Sequence, residues 1–268
     1  RSSLDYWGLP DVELPGELAN IVLINQWASD DDGGDDDDDA CLRTRISFDG
    51  GARWLALPVP DDARHLCPSG GAGADDARPC ALHLQLSGDG FPGAYAPGDT
   101  VGLWVALGAV GPCMPLDAAY GPRESELHTF VSRDGGASWR LAHRGMYVPE
   151  VANHGALIVL ASVRAATRDV VYSADTGASW ATCRVAPAAN VSIDNVLTRG
   201  MNAQSFIVQG TLQGSTRGFV ATMHAGAAHN SACVAPDLAG EPGSDYELWT
   251  PADAAAALLR AQPTPSSS

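Results

Sequence analysis

Apolar positions in this chain fall in short β-rich runs, not at helical spacing. "ANIVLINQ" (19 to 26), "LWVALGAV" (103 to 110), "ALIVLASV" (156 to 163) and "SFIVQGTL" (205 to 212) are bounded by glycine or polar residues and predict strands buried on both faces. Shorter stretches, "ALHLQLSG" (81 to 88), "MYVPEVANHG" (146 to 155) and "SIDNVLTRG" (192 to 200), precede the last three. After them come "LHTFVSRDGGASWRLA" (127 to 142), "DVVYSADTGASWATCRV" (169 to 185) and "RGFVATMHA" (217 to 225). Only "PADAAAALLRAQ" (251 to 262) has helical composition, and the closing "PTPSSS" is expected to be disordered.

An octapeptide punctuates this pattern. It is spelled "SFDGGARW" at 47, "SRDGGASW" at 132 and "SADTGASW" at 173. The later pair is 173 − 132 = 41 residues apart and the earlier pair 132 − 47 = 85, about twice that period. "SGDGFPG" (87 to 93) is the candidate remnant of the box missing between them. Four strands per period of about 40 residues is the signature of a propeller blade, so the expected fold is all-β with about four four-stranded blades. Their expected bounds are 15–60, 81–145, 146–187 and 190–251, with an acidic loop at 28–40 and a short helix-prone and disordered tail at 252–268.

Each box has the chemistry of a self-locking hairpin. Asp49, Asp134 and Asp175 can accept backbone N–H bonds from residues about two places on, while Gly51, Gly136 and Gly177 take positive φ. Ser47, Ser132 and Ser173 add a local hydroxyl bond. Trp54, Trp139 and Trp180 are expected to fold back and bury their rings, at a cost of about 3 to 5 kcal/mol each if removed. A group repeated at the period of the fold reads as structural. No catalytic residue is assigned.

Composition narrows the class further. The net charge is −16, and the run "DDDGGDDDDD" (30 to 39) holds eight of the 32 acidic residues. It lacks the alternating ligands of an EF-hand and reads as a solvated insertion. All 16 basic residues are arginine, without a clustered stripe, which argues against nucleic-acid binding. No run of 18 apolar residues exists to cross a bilayer. Six cysteines without a CxxC pair favour disulfides over zinc, and Asn190-Val191-Ser192 is the single N-glycosylation sequon, so Asn190 is a candidate glycan acceptor. Together they favour a secretory compartment.

The box S-x-D-x-G-x-x-W is the Asp-box (BNR repeat) of sialidases, certain glucanases and sorting receptors of the sortilin type. Its surroundings separate these. "RTRISFDGGARWLALPVP", a cysteine and then "CALHLQL", the strand "GLWVALGAVG", "HTFVSRDGGASWR", "VANHGALIVLA", "VVYSADTGASWATCRV" and "DYELWTP" follow the sortilin-type order. Over about residues 15 to 251 the chain therefore resembles the C-terminal part of the luminal propeller of vacuolar sorting receptors. The resemblance implies a ten-bladed propeller that binds protein or peptide ligands in its tunnel, in the Golgi, endosome or vacuole. It also implies a cysteine-rich module and a membrane anchor, and neither is found after "DYELWTP". The arginine that grips a ligand carboxylate in animal members lies on a blade upstream, so no ligand-binding residue transfers to this sequence. The remaining blades, or another subunit, are the expected partners of the outer sheets.

The same resemblance pairs Cys67 with Cys80 and sends Cys233 to an N-terminal blade; Cys41, Cys113 and Cys183 receive no partner from it. His65, Cys67, Cys80 and His83 can be drawn as a zinc site, but their spacing fits no common module. Neither metal nor cofactor is expected. His128 and His143 have no nucleophile beside them, and His154 falls in a turn of the family pattern. The expected function is a non-enzymatic binding module in protein sorting. Two alternatives are a structural subunit of an extracellular or organellar assembly and a sialidase-like glycan hydrolase, which would need an arginine triad or opposed carboxylates.

Overall fold

The computed structural model describes residues 12–13, 18, 20–27, 42–68, 79–86, 94, 95, 97, 100–116, 123–162, 164–186, 189–198, 204–224 and 246–249. The acidic loop at 28–40, "SGDGFPG", Cys41, Cys233 and the tail from 252 lie outside them. Among the described residues the strands form four antiparallel sheets of four, each in sequence order, and the chain divides into two compact units, Arg1–Pro149 and Glu150–Ser268. Each sheet is a meander of the propeller-blade type.

In the first unit, sheet one contains β1 (Val12–Glu13), β2 (Val22–Trp27), β3 (Leu42–Ser47) and β4 (Leu55–Ala56). Sheet two contains β5 (Ala81–Leu84), β6 (Trp104–Gly111), β7 (His128–Ser132) and β8 (Arg140–His143). Sheet three comprises β9 (Tyr147–Ala152), whose strand crosses the boundary between units, β10 (Leu157–Ser162), β11 (Asp169–Ser173) and β12 (Ala181–Arg184). Sheet four comprises β13 (Val191–Thr198), β14 (Ser205–Leu212), β15 (Gly218–His224) and β16 (Tyr246–Trp249).

The apolar runs become the second strands. β6 and β10 are buried along nearly their whole length, as continuous hydrophobic strands should be. β14 departs from that expectation. Its residues alternate between buried and partly exposed, with Phe206 and Val208 inside and Ile207 and Gln209 less so, so it is buried on one face only. Its sequence is less apolar than those of β6 and β10, and Ser205, Gln209 and Thr211 fall on the partly exposed face. Two short 3-10 helices, Asp61–Leu66 and Glu124–Glu126, were not legible as helical runs. The first follows Pro60, and Ala63 N–H bonds the Pro60 carbonyl at 2.9 Å.

Sheets one and two share a core. Leu23, Ile46 and Leu57 pack with Leu82, Leu84, Trp104, Phe130 and Trp139, and burying each such side chain contributes about 2 kcal/mol. A polar clamp sits beside it. Thr44 Oγ1 donates to Asn25 Oδ1 at 2.6 Å and accepts from Leu84 N–H at 2.8 Å, and Asn25 Nδ2 donates to the Leu84 carbonyl at 3.0 Å. Thr44 N–H donates to His83 Nδ1 at 3.2 Å, and the other ring nitrogen lies 3.1 Å from the Gly111 carbonyl. His83 is therefore the Nε2–H tautomer, bonded on both sides. In the second unit Leu157, Val159, Tyr172 and Cys183 pack with Val191, Phe206, Val208 and Phe219.

Candidate functional site

The three boxes are built to one plan. Each joins the third and fourth strands of its own sheet: β3 to β4, β7 to β8 and β11 to β12. In the second, Ser132 Oγ donates to Asp134 Oδ1 at 2.9 Å and accepts from Gly136 N–H at 2.8 Å. Asp134 Oδ1 also accepts from Ser138 N–H at 2.9 Å, and Oδ2 from Ser138 Oγ at 2.5 Å. The third repeats it, with Ser173 to Asp175 at 2.7 Å, Gly177 to Ser173 at 2.8 Å, and Ser179 N–H and Oγ to Asp175 at 2.8 and 2.6 Å. In the first, Ser47 donates to Asp49 at 2.9 Å and accepts from Gly51 N–H at 2.8 Å, while Arg53 takes the place of serine. Its N–H and Nε reach Asp49 at 2.8 and 2.9 Å. The backbone donor to each carboxylate lies four residues on, not two. It is the serine hydroxyl that accepts an N–H two residues on, at 3.3 Å in the first and third boxes.

These bonds favour the charged carboxylate. The side-chain bond from Arg53 is the largest influence holding Asp49 down to about 2. For Asp134 and Asp175 burial pushes upward, but bonds from Ser138 and Ser179 outweigh it and both stay below the usual carboxylate range. A carboxylate held so low has no proton to donate at neutral pH and is a weak base there, which suits a turn and not acid–base chemistry.

The tryptophans do not behave alike. Trp139 is 4% exposed, bonds the Gly136 carbonyl at 3.1 Å and tilts against Trp104 with ring centroids 6.3 Å apart. Trp54 is 36% exposed, as Phe48 and Leu55 of the same hairpin are also exposed, and Trp180 is half-buried. Full burial of all three rings is thus corrected to one. In sheet two the box also receives side chains from the neighbouring segment: Leu18 and Ile21, between β1 and β2, lie against Gly135, and Ile46 of β3 against Gly136. The first box has no such neighbours among the described residues around its glycines.

The four residues that could be drawn as a zinc site are committed elsewhere. Cys67 and Cys80 are joined by a disulfide, with Cα atoms 6.2 Å apart. His83 is closed inside the clamp, and His65 Nε2 meets the Arg144 guanidinium. Cys113 and Cys183 are also disulfide-bonded. His128 Nδ1 accepts from Gly145 N–H at 3.0 Å, and the His143 ring meets the Tyr147 ring at a tilt of 55°, centroids 4.4 Å apart. Asn153, His154 and Gly155 form a left-handed turn with φ of 50°, 51° and 85°, so His154 sits in backbone geometry.

One surface escaped sequence reasoning. β13 ends its sheet; Val191 bridges Thr167 at one end, and Thr198 N–H donates to Glu150 Oε1 at 3.0 Å at the other. Between them Ser192, Asp194, Asn195 and Leu197 are exposed, Leu197 by 40%. Burial pushes the Glu150 carboxyl upward against that bond. The alternating pattern of "SIDNVLT" was visible, but not that its outer face stays open.

The Sortilin-Vps10 family model, described as sortilin, neurotensin receptor 3, matches residues 4–195. Among curated relatives, a vacuolar protein sorting/targeting protein 10 from Emericella nidulans is 28% identical over 256 residues, covering 91% of this chain and 17% of that protein. One of the same name from Aspergillus flavus is 31% identical over 187 residues, covering 67% of this chain and 12% of the relative. The chain thus spans under a fifth of the length of either. A GH74 xyloglucanase from Xanthomonas campestris aligns over 94% of this chain and 32% of its own, with TM-score 0.39 and 14% identity. Likeness at that level carries no information about activity.

Proposed function

From membership of the Sortilin-Vps10 family, to which this chain belongs, we propose that it is a non-enzymatic luminal module that recognises protein or peptide cargo in the secretory and endosomal pathway. The family match over residues 4–195 carries the reading. The box geometry agrees with it, because each candidate carboxylate is already bonded within its own hairpin.

Cargo would dock along β13 as an added strand. Main-chain pairing to Ser192–Leu197 would supply affinity, with Leu197 offering apolar contact and Asp194 a negative charge. The test is selection of a displayed random peptide library on the complete luminal region that contains this chain. Enriched extended peptides are expected, with binding weakened about tenfold or more by Leu197→Asp, equivalent to roughly 1.4 kcal/mol. Enrichment that Leu197→Asp leaves untouched would move the site away from β13. Turnover of a fluorogenic glycoside panel above background would overturn the non-enzymatic assignment.

A further inference from the structure

The single sequon of the chain lies where sheet four begins. Val191 is fully buried and pairs with Leu212, while Asn190 before it and Ser192 after it are both exposed. Strand alternation therefore turns the acceptor amide and the hydroxyl two residues on toward one open side. Among the described residues neither side chain has a hydrogen-bond partner, so nothing in the fold needs the Asn190 amide. The backbone is used instead: the Asn190 carbonyl accepts from Gln213 N–H at 2.9 Å.

We propose that Asn190 carries an N-linked glycan, an inference that rests on the luminal reading above. In the transfer, the Asn190 amide nitrogen attacks the anomeric carbon of a lipid-pyrophosphate-linked oligosaccharide. The C–N bond forms as the C–O bond to pyrophosphate breaks. The lipid pyrophosphate leaves with the electron pair, and the amide proton passes to a base of the transferase.

The pairing of β13 with β14 dates the event. Ser192 is held opposite Thr211 in the finished sheet, so the sequon can enter a transferase site as a free segment only before Ser205–Leu212 has paired. Transfer precedes closure of sheet four. The site borders the proposed cargo surface, whose Ser192 end lies two residues away. Asn190 and Leu197 are seven residues apart along an extended segment, roughly 23 Å at 3.3 Å per residue, so the sugar stands at the opposite end of β13 from Leu197.

The full chain, expressed through the secretory route of a eukaryotic host, tests this. One step of reduced mobility, removed by peptide N-glycosidase, is expected for the wild type and for Ser192→Thr, and its complete loss for Asn190→Gln and Ser192→Ala. Alkylation before and after reduction reports whether Cys67 and Cys80 are oxidised, which records entry into the lumen independently. An oxidised chain without glycan overturns the site and spares the luminal reading. A reduced chain without glycan overturns both, and a glycan that survives Asn190→Gln overturns the assignment to this residue.

Discussion

Thr176 stands where the other two boxes place glycine, and it takes the same left-handed backbone: φ is 59° there against 70° at both Gly50 and Gly135. A β-branched residue in that region carries about 1–2 kcal/mol of strain, partly offset because threonine has fewer unfolded conformations to lose than glycine. Thr176→Gly is expected to stabilise the protein by roughly 0.5–1 kcal/mol, read as a higher urea midpoint at unchanged slope. A lower midpoint would show that the threonine side chain holds the turn. Gly136 makes the converse case. Its φ is +84°, and a Cβ there would lie 2.3 Å from Trp104 Cζ3 and 2.9 Å from Ile46 Cδ1. Gly136→Ala should cost roughly 2–3 kcal/mol through strain and overpacking together. Gly50→Ala should cost only about 1 kcal/mol, since its nearest contact is Asn20 Oδ1 at 3.8 Å. Equal penalties at the two positions would mean that backbone strain alone decides, and that the packing on Trp104 does not matter.

At the scale of the element, each box replaces longer-range support with bonds made inside the hairpin. Asp134→Ala removes the acceptor of Ser132 Oγ, Ser138 N–H and Ser138 Oγ, and is expected to cost roughly 1–2 kcal/mol. Amide exchange should speed selectively at Gly136 and Ser138; uniform acceleration through sheet two would instead point to global unfolding. The hairpins were readable because their information is local: serine, aspartate, glycine and tryptophan at fixed offsets specify the turn whatever surrounds it. The four second strands were readable for the same reason. What the octapeptide does not encode is the fate of its tryptophan, since Trp54 and Trp139 share a spelling and differ in the neighbours that cover them. Nor did local pattern reveal the role of Asn25 and Thr44, because the clamp joins residues 19 to 59 positions apart. In the candidate site, the open face of β13 was invisible for that reason also.

Across the first unit the clamp makes stability depend on acidity. Burial is the main cause that holds His83 down to about 4 from its ordinary 6.5, opposed by the Gly111 carbonyl and assisted by Arg43 and Arg45. Between these values the unfolded chain binds a proton that the folded one refuses. Stability is complete above pH 6.5 and falls as pH drops toward 4, by about 3 kcal/mol over the whole interval. Urea midpoints at pH 7.5, 5.5 and 4.5 should fall in sequence, and the fall should be smaller in His83→Gln. Parallel loss in both proteins would remove His83 as the cause. The box carboxylates act lower on the scale. Their depressed values give stability that is present above the ordinary carboxylate range near 3.8 and is lost only below it. The Cys67–Cys80 bond has a separate consequence for how this chain would respond to cutting. A protease that severs the backbone anywhere between those two positions leaves the flanking portions tethered through sulfur, so such a nick would stay silent on a non-reducing gel and appear as two fragments only once a reductant is added.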